Sequence, residues 1–164
     1  MATTALTFAG TPQIHAQEST PEGTGAAGLL PRDVILSLAA VQDVLPEIAS
    51  ETATGPNSTV VGTPVANRAV TYSTADDAHH VVLSVDQYAT AEEAKRSFDE
   101  AFEASKKVPG VTTESVSDLG EAALIGVVAQ GDETHVGGGA LFGNLIVNAT
   151  LQAFDGTDEN KKLV

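Results

Sequence analysis

The stretch TADDAHHVVLSVDQY, residues 74–88, sets Asp76, Asp77, His79 and His80 directly ahead of an apolar run. Imidazoles beside carboxylates are the groups that bind transition metals or move protons. A strand, however, turns successive side chains to opposite faces. His79 therefore belongs with Val81 and Leu83, and His80 with Ser84 and Asp86, pointing outward. Adjacent histidines so placed cannot grip one ion from the same side, and zinc needs three or four converging ligands. Only an approach by His135, which opens another apolar stretch, would complete a set. No metal ligand is assigned on this pattern. Asp76-Asp77 reads as a turn, and the two imidazoles as the wet end of a strand.

The other candidates are thinner. Asp132, Glu133 and His135 cluster at a hairpin tip, but without the dense oxygen-ligand loop of a dedicated calcium site. GGGALFGN (137–144) is glycine-rich yet has no lysine and no following helix, so it does not cradle phosphate. Its small residues mark a place where a neighbouring element packs closely. Glu121 stands alone at a turn, and no Ser, His and Asp set has the context of a nucleophile. No catalytic residue and no cofactor is assigned.

The elements that position these residues follow from periodicity. Residues 29–45 read as a first helix, with Pro31 in its first turn and Val34, Leu38, Val41 and Leu45 along one stripe. Residues 50–58 read as loop, and strands are expected at 59–63, 67–74 and 79–88. A second helix is signalled by the capping box TAEE (90–93), with Ala94, Phe98, Ala101, Phe102 and Ser105 facing inward and Pro109-Gly110 stopping it. Four strands follow, near 111–117, 122–130, 134–141 and 144–152, with Gly143-Asn144 as a two-residue turn. A last helix begins at Thr157 or Asp158 and is expected to be cut short. The order α-βββ-α-ββββ-(α) argues an α+β fold, an antiparallel sheet flanked by helices.

Composition narrows the partners. The 164 residues include 22 acidic and 8 basic side chains, for a net charge of −14. Arg68 is the only lysine or arginine between Asp33 and Ala94, and there is none from Val108 to Asn160. Such a surface repels nucleic acid and anionic lipid. Cysteine is absent, which excludes disulfides, thiolate sites and a lipidated N-terminal cysteine within this sequence. No run approaches the ~18 apolar residues of a membrane span. Residues 1–28 read as the remnant of a signal peptide, with a small-residue cleavage point after Ala16, followed by a disordered Pro/Gly/Ser/Thr linker. Residues 29–164 then form one α+β domain, expected to be secreted and extracytoplasmic.

The segments VVLSVDQYATAEEAKRSFDEAFEASKKVPGV, VSDLGEAALI and LFGNLIVNATL resemble the layout of small secreted lipoprotein and sensor domains of actinobacteria. They are similar as well to the extracellular sensor domains of some bacterial Ser/Thr kinases. That resemblance implies a PsbP-like fold and roles in binding and sensing, with no shared catalytic residues. The expected function is non-enzymatic: binding a small apolar ligand or a cell-envelope protein, through residues such as Tyr72, Val82, Phe98, Phe142 and Leu145 between sheet and helices. Two other classes compete. One is a small α+β enzyme with a cone-shaped pocket, using His79 or His80 as base with Asp77 or Tyr72. The other is a structural protein whose sheet face docks a partner.

Overall fold

The alternation that begins at residue 66 produces strands, and the sheet they build separates two unequal layers. The computed structural model describes residues 27–58, 60–130 and 133–164. Its strands are β1 (Gly28–Leu29), β2 (Ile48–Gly55), β3 (Ala66–Thr74), β4 (His80–Gln87), β5 (Val111–Val116), β6 (Ala122–Gln130), β7 (Glu133–Phe142) and β8 (Leu145–Gln152). The helices are α1 (Leu38–Gln42), α2 (Ala91–Ser105) and α3 (Asp158–Lys161), with a 3₁₀ turn at Arg32–Val34. The strands make one open sheet in the order β1-β3-β4-β8-β7-β6-β5, with β2 also on β3. Every pairing is antiparallel except the two-residue contact of β1 with β3.

One face carries Val70, Tyr72, Val81, Ile125, Val136 and Leu151, all buried. Ile35, Val41, Leu45 and Ile48 cover it from the N-terminal side, and Phe154, Leu163 and Val164 from the C-terminal side. The opposite face carries Leu141 and Ile146, on which Ala94 and Phe98 of α2 pack with Tyr88. Burial of Phe98 stabilises this layer by roughly 1.5–3 kcal/mol. Thr90 caps α2, its hydroxyl accepting from the Glu93 N–H at 3.1 Å. Thr157 does the same for α3 through the Asn160 N–H.

The N-terminal third departs from the periodicity. In place of a helix over 29–45 there are β1, the 3₁₀ turn and the five-residue α1. Ile35 is extended, at φ −116 and ψ 145. The Arg32 guanidinium takes the carbonyls of Ile35 and Leu36, which a continuous helix would use for its own ladder. Ser37 then caps α1 by accepting from the Ala40 N–H. Residues 50–55, expected as loop, lie in β2, and no described residue of the strand expected at 59–63 is in a strand. The reason is edge position. β2 pairs only with β3, so it needs few apolar side chains, and Ile48 alone of its residues is buried. Apolar Val60 and Val61 instead belong to the connection to β3, where the Val61 carbonyl accepts from the Tyr88 hydroxyl at 2.6 Å.

Candidate functional site

Strand alternation sends the histidine doublet to both sides of the sheet. His79 Nδ1 donates to the Ala153 carbonyl at 2.7 Å, and its ring stands 5.0 Å from that of Phe154. It lines an open cleft of ≈ 680 Å³ together with Glu47, Thr74, Asp76, Asp155 and Asn160. His80 lies on the α2 side, in a cross-sheet row that runs Ser73, His80, Gln152, His135, Val128. His80 and His135 thus share a face but flank Gln152, with their Cα atoms two strand spacings, ~10 Å, apart.

This row does not assemble a hydrolytic centre. His80 Nδ1 is 2.7 Å from Ser73 Oγ and 3.7 Å from Asp77 Oδ1. A catalytic triad places serine and carboxylate on different ring nitrogens, whereas here both address the same one. Tyr72, the other expected partner of the base, is buried on the opposite face, where its hydroxyl donates to the Leu36 carbonyl and accepts from Arg32 at 3.0 Å. His135 is buried, its Nε2 is 3.8 Å from Glu133, and its Nδ1 has no hydrogen-bond partner. Burial holds the His135 ring below the ordinary imidazole range, only partly offset by Glu133. Asp132 lies outside the described residues. Among the described residues no group of three or more His, Asp or Glu side chains is placed to hold a metal ion.

The most unusual chemistry on this face is a residue expected to point outward. Asp86 is 3% exposed. The Asn57 amide donates to both its oxygens, at 2.9 and 3.0 Å, and the Asn148 amide to Oδ2 at 3.2 Å. The Ser84 hydroxyl accepts from both amides, at 3.2 and 3.3 Å. Asn57 is anchored in turn by Asn67, whose Oδ1 accepts from the Asn57 N–H at 3.0 Å and whose amide donates to the Asn57 carbonyl at 3.2 Å. Gly139 makes room for this cluster, since a Cβ there would sit 2.8 Å from Asn148 Oδ1. Desolvation dominates the carboxyl and, against the pull of the Asn57 and Asn148 donors, pushes it from 3.8 to about 6. Ser84 and Asp86 are buried because α2 and the Asn57 segment roof the face that alternation alone would leave to water. The available signal was Ile146 and Leu141, which share this face with Asp86, and Phe98, which needs a surface to cover.

The five residues expected to bind a ligand do not converge. Tyr72 and Leu145 belong to the core beneath the terminal segments, and Phe98 to the core beneath α2. Phe142 is 42% exposed. Val82 is partly exposed in the row Thr71, Val82, Thr150, Gly137, Gly126, between the Asp86 cluster and the His80 row. A second open cleft, ≈ 800 Å³, is lined by Arg32, Val34, Leu36, Leu38 and Glu51. Arg32 organises it, donating to both Glu51 oxygens at 3.1 and 2.6 Å.

Comparison with known proteins defines a class by fold. The chain is similar to the extracellular domain of PknH from Mycobacterium tuberculosis, with a TM-score of 0.56 and 13% identity over 80% of this chain and 89% of that one. No family model and no curated protein sequence matches the chain. Among the described residues no helix is long and apolar enough to cross a membrane.

Proposed function

We propose that the chain is an extracytoplasmic, non-enzymatic sensor-type domain that binds a small ligand or a cell-envelope partner on the face shared by Asp86, Val82 and His80. The observation that carries this reading is the likeness in fold to an extracellular domain across most of both chains. It agrees with the sensor-like layout of the segments around residues 81–111, 116–125 and 141–151. The shared use of His80 Nδ1 by Ser73 and Asp77 counts against the enzyme alternative. The partly exposed Thr71, Val82 and Thr150 give the face a floor of hydroxyls and methyls, bounded by Gln152 and His80. A ligand seated there would meet neutral polar groups and short apolar ones, with no lysine or arginine in either row.

The docking alternative draws on the other face. Val116 and Val147 lie in one row with Ala123 and Ala140 between them, the row continuing to Val85 and Arg68, and Phe142 lies one row beyond. Val116, Val147 and Phe142 are 38%, 38% and 42% exposed.

Protein recovered from its own host and weighed by native mass spectrometry tests the reading. A co-purifying small molecule, or a partner cross-linked through a photoreactive residue at Thr150, is expected. Recovery from the cytoplasmic fraction, or the bare chain with no cross-linked species, would overturn it.

A further inference from the structure

We propose that Asp86 is a proton-binding switch, through which acidification of the surrounding medium tightens the tie between the Asn57 segment and the sheet. The inference rests on the sensor-type reading and adds the proton as a species that the domain reads.

The geometry supplies the switch. Asp86 is buried where the Asn57 segment meets β3, β4 and β8, and the side chains that hydrogen-bond it are neutral. Asn57 meets it from the segment ahead of β3, Asn67 of β3 acts through Asn57, and Asn148 of β8 completes the set. Ser84 of β4 accepts from the same two amides. The titratable neighbours are of the wrong sign to help. Tyr88 on β4's exit feels the Asp86 charge, and Glu100 of α2 acts on Tyr88 in the same sense. Arg68 of the neighbouring β3 is on the other face, where it donates to the Leu30 carbonyl and to Thr54, and Lys95 and Arg96 of α2 are exposed.

A carboxylate buried without a counter-charge pays for desolvation unless it takes up a proton. Any opening that lifts Asn57 off the sheet returns Asp86 to water, where it ionises in the ordinary range. The proton is therefore bound more tightly in the closed arrangement, and by linkage acid favours closure while neutral medium favours opening. With the carboxyl pushed to about 6, the closed-to-open ratio changes by about 10- to 100-fold across the window above 4.

The test uses the full chain, labelled with ¹³C and ¹⁵N. The Asp86 side-chain carbon is followed by NMR from pH 3 to 8, alongside hydrogen exchange of the Asn57 amide, corrected for the intrinsic pH dependence of exchange. Asp86 is expected to reach half-titration near pH 6, with Asn57 protection about 10-fold greater at pH 5 than at pH 7.5. That difference is expected to vanish in Asp86→Asn. A second variant, Asn148→Ala, removes one donor to the carboxylate and is expected to move the midpoint further up. Titration of Asp86 in the ordinary aspartate range, equal Asn57 protection at the two pH values, or an unmoved midpoint in Asn148→Ala would each overturn the proposal. None of these readouts needs a ligand or partner. Failure here thus leaves the sensor reading standing on its co-purification test, and failure of that test leaves the proton switch standing.

Discussion

The Nδ2 atom of Asn57 sits 2.9 Å from Oδ1 and 3.0 Å from Oδ2 of Asp86, so a side chain from outside the regular strands closes over a carboxylate that faces no cation. The folded chain therefore takes up a proton at Asp86 at higher pH than the unfolded chain does. Stability from this group is complete below about pH 4, declines as pH rises through the window up to about 6, and is flat above it. The decline amounts to about 2–3 kcal/mol. Urea unfolding midpoints between pH 4 and 7.5 check it. Asp86→Asn is expected to flatten this part of the profile, and an unchanged slope would refute the assignment.

His135 acts with the opposite sign. Its ring is kept neutral by burial, so its folded value lies below the unfolded 6.5. Stability is lost as pH falls through 6.5 toward the lowered value. Its Nδ1 has no partner, so an apolar ring of similar shape forfeits no hydrogen bond there. His135→Phe is expected to stay within about 1 kcal/mol of the parent at pH 7.5 and to be the more stable protein at pH 5.5. Thermal unfolding at the two pH values reads the difference, and a variant weaker than its parent at pH 5.5 would contradict it.

Arg32 ties the N-terminal segment to the sheet through Glu51, two carbonyls and the Tyr72 hydroxyl. Lysine has one donor head where arginine has a planar fork. Arg32→Lys is expected to cost about 1–3 kcal/mol. Glu51→Gln, at a pair whose side chains are 31% and 30% exposed, is expected to cost less than about 1 kcal/mol. Equal losses in denaturant titrations would mean that the ion pair, and not the carbonyl contacts, holds the segment.

Gly139→Ala would drive a Cβ to 2.8 Å from Asn148 Oδ1. The Asn148 amide must then move and loosen its bonds to Asp86 and Ser84. A loss of about 1–3 kcal/mol is expected, together with an altered Asp86 titration. A variant with parental stability and an unmoved titration would show that Asn148 has room to spare.

From residue 66 to the end, the fold is legible in the sequence because local signals agree there. The strand alternation, the Thr90 cap and the Gly143-Asn144 turn each dictate one local structure, and the structure follows them. The Glu121 carboxylate, which the sequence offered only as a lone turn residue, a general base or a solvated carboxylate, accepts from the Gly143 N–H at 2.7 Å and braces that turn. The N-terminal third was not legible, because its outcome depends on contacts remote in sequence. Arg32 reaches Glu51 and Tyr72, and these contacts override an apolar stripe that reads as helix. The Asp86 cluster stayed hidden for the same reason. Asn57, Asn67, Asp86 and Asn148 lie on four separate segments, and periodicity reports which way a side chain points but not what covers it.

The two rims of the sheet are unequal. β2, at one rim, pairs with β3 through two register shifts, between Ile48 and Ser50 and between Glu51 and Ala53. β5, at the other, runs six residues in unbroken register with β6, and no described strand lies outside it. Irregular rims resist the addition of a further strand, while a straight one invites it. Extended polypeptide would therefore be recruited from the β5 direction alone. Glu114 there already has Lys161 Nζ 3.8 Å from its Oε1, so it is the net charge of −14 over the chain as a whole that would favour basic side chains on an arriving strand.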